Sequence, residues 1–60
     1  MPPLKDYIVT AYIGIHNVPV SLGKYRAWHE DGAIEQAKTK TAKFLDEIHG
    51  ANIIIAELSQ

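Results

Sequence analysis

The sequence predicts an α+β domain of ββαβ order, a three-stranded antiparallel sheet (order 2-1-3) with one helix packed on one face. Three observations lead there. Residues 5–16, KDYIVTAYIGIH, place Tyr7, Val9, Ala11, Ile13 and Ile15 at alternate positions, the period of a strand. Residues 29–50, HEDGAIEQAKTKTAKFLDEIHG, space Ile34, Ala37, Phe44, Leu45 and Ile48 by threes and fours, with Thr41 filling the gap, the period of a helix stripe. Residues 52–58, NIIIAEL, are a short run rich in β-branched side chains, which suits a strand.

The elements follow in order. Residues 1–4 read as a flexible lead, since prolines cannot donate to a ladder and chain ends fray. The first strand has one strongly apolar face, and its even positions Ile8, Thr10, Tyr12, Gly14 and His16 form a mixed face. Gly14 within the run suggests a bulge or bend. Residues 16–23, HNVPVSLG, carry Asn, Pro, Ser and Gly, which is turn chemistry. Pro19 is compatible with an edge or a loop and not with a central strand. A shorter second strand, residues 24–28, puts Tyr25 and Ala27 on one face and Lys24, Arg26 and Trp28 on the other. The helix opens with Glu30 and Asp31, where its dipole favours acids. Its cap falls on His29 or Asp31, of which Asp31 is the better acceptor. Gly50 is placed to follow the last helical turn. The third strand sends Asn52, Ile54, Ala56 and Leu58 to one side and Ile53, Ile55 and Glu57 to the other.

A right-handed crossover through the helix lands the third strand beside the first, the longest and most apolar of the three. The helix-side core is then expected to hold Val9, Ala11, Ile13, Ile34, Ala37, Phe44, Leu45, Ile48, Ile54 and Leu58. On that reading Phe44→Ala costs about 3–5 kcal/mol. One helix covers one face of a sheet. The other face, with Ile8, Thr10, Tyr12, Lys24, Arg26, Trp28, Ile53 and Ile55, has nothing in the chain to cover it.

Composition bounds the function. Sixty residues make a single small domain at most, one that buries only about 60% of its unfolded surface and is marginal alone. There is no cysteine, so disulfides and thiolate metal sites are excluded. Six basic and seven acidic residues leave a net charge of −1, without the basic excess of a strongly electrostatic nucleic-acid binder. No basic stretch followed by a long apolar run opens the chain, and no apolar run approaches the roughly 18 residues of a membrane span. The expectation is a cytoplasmic protein, in the host cytoplasm if phage-encoded.

No catalytic constellation is visible. His16, His29 and His49 fall on a loop, a helix start and a helix end, and no pair has the i, i+4 spacing of a metal-binding helix. Asp46 and Glu47 are adjacent and point apart on a helix, so they read as a solvated face beside Lys43. SLGK, residues 21–24, resembles the tail of a phosphate loop but lacks its first glycine and the following helix. The chain is therefore read as using no metal or cofactor and as not an enzyme.

What remains is a binding surface. Exposed apolar patches mark interaction sites, and Tyr, Trp and Arg are the residue types enriched at binding hot spots. The partner-binding residues are expected to be Ile8, Tyr12, Lys24, Arg26, Trp28, Ile53 and Ile55. The competing placement for Trp28 is folded back over the helix start. YRAWHEDGAIEQAK followed by NIIIAEL is similar to the strand–helix–strand part of a family of archaeal and eukaryotic large-subunit ribosomal proteins, although that family is markedly basic and this chain is not. In size and element order the chain also resembles small phage-encoded inhibitors of bacterial RNA polymerase. No residue is carried over from either likeness. The expected function is a non-enzymatic protein-binding module that occupies a surface of a larger partner, as an accessory inhibitor of a phage or mobile element would. Self-association through the open sheet face or the edge strand is the related possibility. The alternative is binding of RNA or a ribonucleoprotein, with bases stacked on the aromatic-basic face.

Overall fold

A computed structural model describes residues 3–59. The flexible lead expected at residues 1–4 lies partly outside the described residues, at Met1 and Pro2, while Pro3 and Leu4 run ahead of the first strand without regular structure. The elements are β1 (Lys5–Ile13), β2 (Val18–Ala27), α1 (Glu30–Lys40), α2 (Ala42–Glu47) and β3 (Ile53–Ser59). The sheet has the order β2-β1-β3 with both pairs antiparallel, so β1 is central and the expected ββαβ topology is the observed one.

The β-hairpin is tighter than its composition suggested. Only residues 14–17 form the turn, and β2 begins at Val18. Gly14 and Asn17 take positive φ of 74° and 51°, conformations that Gly and Asn tolerate best. Pro19 lies inside β2 opposite Tyr12. That is permitted because β2 is an edge and its missing N–H has an outward side to occupy. The expected loop over residues 16–23 is thus mostly strand, since Val18, Val20 and Leu22 keep an apolar alternation through the turn-like residues.

The bulge falls on β2 rather than at Gly14. Thr10 faces Ser21 and Val9 faces Gly23, which leaves Leu22 as the extra residue. Gly23 has φ +111°, and the Tyr25 hydroxyl lies 3.4 Å from where a Cβ at this position would stand. That hydroxyl donates to the Leu22 carbonyl oxygen at 2.6 Å. The Tyr25 ring therefore covers the bare glycine and holds the bulged backbone in place.

The sheet buries one face against α1. Tyr7, Val9 and Ala11 of β1, Leu22 and Ala27 of β2, and Ala33 and Ala37 of α1 form the core, with Tyr25, Ile34, Ala51, Ile54 and Ala56 packed around it. Both buried helix residues are alanines, so α1 presents small side chains to the sheet. Gln36 of α1 also donates to the Arg26 carbonyl oxygen at 2.7 Å, tying the helix to the β2 edge.

The single long helix expected over residues 29–50 is two helices. His29 is the N-cap of α1 in extended geometry, without a side-chain capping bond, so the better capper Asp31 is already inside the helix. The break falls at Thr41, whose ψ is 20°. Thr41 Oγ1 donates to the Ala37 carbonyl oxygen at 2.6 Å and Thr39 Oγ1 to that of Glu35 at 3.0 Å. Such back-bonding by threonine bends helices. Beyond the kink the backbone of α2 lies close to α1 and to no strand.

That departure corrects the expected core. Phe44 stands 37% exposed and α2 buries no residue fully. Leu45 is half-buried on the same departing helix and Ile48 at its C-cap, Ile13 is half-buried near the hairpin end, and Leu58 is 54% exposed at the end of the β3 edge. Tyr7, Leu22, Ala27 and Ala33 take the core places that the stripe had assigned to α2 and Leu58.

The helix terminus is shifted by one residue from its expected geometry. His49 N–H donates to Asp46 O at 3.2 Å and Gly50 N–H to Leu45 O at 2.7 Å, the two bonds of a Schellman motif. His49, not Gly50, is the first residue past the cap, and it has φ +61°. An L-residue there costs roughly 1–2 kcal/mol that glycine avoids. His49→Gly is therefore expected to stabilise the domain by about 0.5–1 kcal/mol, read as a rise in thermal midpoint of roughly 2–8 °C for a chain of this size. An unchanged or lowered midpoint would contradict the assignment.

Candidate interaction surface

The register of the sheet determines what its open face carries. The helix covers the side of Tyr7, Val9 and Ala11, so Asp6, Ile8, Thr10 and Tyr12 point the other way along β1. Their cross-strand partners complete four rows. Arg26, Asp6 and Ser59 form one, and Lys24, Ile8 and Glu57 the next. Ser21, Thr10 and Ile55 follow, then Pro19, Tyr12 and Ile53 at the hairpin end.

Apolar and charged groups separate along this face. Tyr12, Ile53, Ile55 and Ile8 make a continuous patch toward the hairpin turn, with Ile53 54% and Ile8 40% exposed. Tyr12 and Ile55 are half-buried by their neighbours. The charges lie at the other end, with cations on β2 and an acid, Glu57, on β3. Arg26 Nε donates to Asp6 Oδ1 at 3.1 Å across the first row, an exposed pair of small energetic worth that nonetheless cancels both charges locally.

Of the residues expected at this surface, Ile8, Tyr12, Lys24, Arg26, Ile53 and Ile55 stand together on it. Trp28 lies beyond the strand. β2 ends at Ala27, and Trp28, 52% exposed, lines a shallow concavity with Leu4, Asp31 and Gly32 beside the helix start. Asp6, Pro19, Ser21, Glu57 and Ser59 join the face through the register. Locating Pro19 and Ser21 there required the position of the bulge, which shifts β2 by one residue relative to a regular ladder.

Asn52 fixes one boundary of the face. Its N–H donates to Tyr12 O at 2.8 Å, and its Nδ2 donates to Gly14 O at 2.5 Å and to Asn17 Oδ1 at 2.9 Å. One side chain thus ties the start of β3 to the hairpin turn and holds Ile53 beside Tyr12.

The two sheet edges differ. β2 is interrupted by Pro19 and by the bulge and is met by Gln36, all devices that discourage further pairing. β3 has none of these, and Glu57 is its only charged residue.

Elsewhere the chemistry is sparse. Among the described residues no three His, Asp or Glu side chains are grouped to hold a metal ion, and no helix is long and apolar enough to cross a membrane. The three histidines are far apart in role: His16 in the hairpin turn, His29 at the α1 cap and His49 past α2, each exposed. Comparison with known proteins finds no matching family model, curated protein or solved structure.

Proposed function

We propose that the chain is a non-enzymatic binding module whose working surface is the open face of its sheet, where it engages another protein. One observation carries this reading. Ile8, Tyr12, Ile53 and Ile55 form a contiguous apolar patch that none of the described elements covers, while four of the seven buried core residues among the described residues are alanines. A contiguous exposed patch of this kind marks an interaction site. Action by occlusion needs a surface and no reacting group. An accessory inhibitor of a phage or mobile element, covering a surface of a larger host protein, is a role of that form.

RNA binding by stacking drew on Tyr12, Trp28, Lys24 and Arg26. Trp28 stands off the strand and Arg26 is shared with Asp6 in an exposed pair, so Tyr12 is the one aromatic of that set left for stacking on the face. A single aromatic favours protein binding over stacking of bases.

The test is capture of partners from a lysate with and without nuclease, using the intact chain and the variants Ile53→Lys and Ile55→Lys. Both positions are on the open face, so both variants are expected to keep the far-ultraviolet circular dichroism of the parent. Each is expected to lose at least about tenfold in partner capture, because a charge at the centre of an apolar contact is left unpaired. Nuclease is expected to change nothing. Capture abolished by nuclease would favour RNA, and capture unaffected by both substitutions would remove the face from the reading.

A further inference from the structure

We propose that the open face is self-complementary and that its occupant in the free protein is a second copy of the chain, docked face to face about a two-fold axis lying along β1. This rests on the reading of that face as a protein-binding surface and names the partner.

The charge pattern carries the proposal. Lys24, Ile8 and Glu57 are one cross-strand row, with a cation on one edge strand, an isoleucine in the centre and a carboxylate on the other edge strand. A two-fold axis parallel to the central strand exchanges the two edges. It places β2 of one copy above β3 of the other, so that Lys24 of each copy meets Glu57 of its partner while Ile8 meets Ile8. The same operation sets Tyr12 over Tyr12 and Pro19 over Ile53, and joins the two apolar patches. Asp6 also meets its own copy, but each Asp6 carboxylate is held by Arg26 of the same chain, so that row stays neutral.

Other arrangements lack this match. A two-fold axis across the strands sets the charged end of one face on the apolar end of the other, leaving Lys24 and Glu57 over Ile53, Tyr12 and Pro19. Sheets that pack face to face cross at about 30°. The resulting offset at the edge strands is within reach of the flexible four-carbon stem of Lys24. Because Lys24 and Glu57 lie on edge strands, the pairs fall at the rim, where charges select orientation without the cost of full burial. The product is a four-layer assembly with helices outside and both sheets inside, which gives each sheet two covered faces.

The contact is small. Three strands about 4.8 Å apart and seven residues of about 3.4 Å each give a footprint of roughly 14 by 24 Å. Over both copies this is about 700 Å², below the roughly 1,200 Å² at which stable specific interfaces begin, so the dimer is expected to be weak and to dissociate on dilution.

Charge exchange tests the geometry. In sedimentation equilibrium the parent chain is expected to show a concentration-dependent dimer. Lys24→Glu alone sets carboxylates against carboxylates at both symmetric contacts, and Glu57→Lys alone sets ammonium groups against ammonium groups. Each is expected to weaken the dimer by at least about tenfold. An equimolar mixture of the two variants is expected to recover the dimer, because each then supplies the charge the other lacks. A chain carrying both exchanges is expected to recover it as well. These recoveries also exclude a folding defect as the reason for the single losses.

A parent chain that stays monomeric, a dimer indifferent to the single exchanges, or a mixture that stays monomeric would each overturn the proposal. If the parent is monomeric and Ile53→Lys still abolishes capture of another protein, the second copy fails as occupant and the binding-module reading stands. If Ile53→Lys disturbs neither mass nor capture, both fail.

Discussion

Tyr7→Ala is expected to lower stability by about 3–5 kcal/mol, the range for removing a buried aromatic side chain, while Phe44→Ala is expected to cost no more than about 1 kcal/mol. Tyr7 is 6% exposed on the helix-covered side of β1, whereas Phe44 is 37% exposed on a helix whose backbone approaches α1 and no strand. Domains carry roughly 0.05–0.15 kcal/mol of stability per residue, so the loss at Tyr7 is comparable with all that a chain of this length possesses. Thermal melting followed by circular dichroism is expected to show Tyr7→Ala largely unfolded at room temperature and Phe44→Ala cooperative with a midpoint near that of the parent. Tyr7→Phe, which keeps the ring, is expected to stay folded. A Phe44→Ala variant that unfolds and a Tyr7→Ala variant that does not would mean that α2 packs on the sheet after all.

The contrast between Tyr7 and Phe44 shows where the sequence was legible. Strand periodicity was readable because alternation along β1 is a purely local signal: Tyr7, Val9 and Ala11 share one side and Ile8, Thr10 and Tyr12 the other, in whatever partner context. The central place of β1, the crossover and the strand order followed from its length and from handedness. Most of the open face followed from the same alternation. The helix was harder. A stripe at threes and fours running from Ile34 to Ile48 is compatible with one straight helix. At the break Thr39 and Thr41 back-bond to the preceding turn, a choice of side-chain rotamer that often bends helices and that spacing does not reveal. With the backbone of α2 away from the sheet, its apolar residues are at most half-buried, and the core contracts onto alanines. The same limit applied at the helix end, where His49 rather than the adjacent Gly50 takes the first left-handed position. Both residues there have positive φ, so glycine's preference alone did not assign the register.

The two edges bear on the open face as well. Pro19 and the bulge disturb β2 as a template for further pairing, and they do so on the strand that carries Lys24 and Arg26. β3 stays regular and carries Ile53, Ile55 and Glu57. A surface with its cations on one edge and its acid on the other has a direction across the strands. That direction distinguishes a two-fold axis along β1 from one across it, which a uniformly apolar face would not do.

Leu22→Ala is expected to cost about 2–4 kcal/mol, the usual range for a buried leucine truncated to alanine, although Leu22 lies in a stretch whose composition reads as a turn. The bulge makes Leu22 the extra residue of β2, and that irregularity lets its side chain reach the core, where it is 7% exposed. Truncation leaves a gap beside Val9, among the described residues the one large side chain fully buried, in a core otherwise rich in alanine. Tyr25→Phe isolates the other half of the arrangement. It removes the hydroxyl that donates to the Leu22 carbonyl oxygen and keeps the ring over Gly23, and it is expected to cost about 1 kcal/mol, the usual net worth of a hydrogen bond. The pair is read by urea unfolding, with an unchanged slope showing that the denatured state is the same in both. Were residues 18–23 a loop rather than strand, Leu22→Ala would behave as a surface change within about 0.5 kcal/mol of the parent, and the bulged register that aligns Lys24 with Ile8 and Glu57 would fall with it.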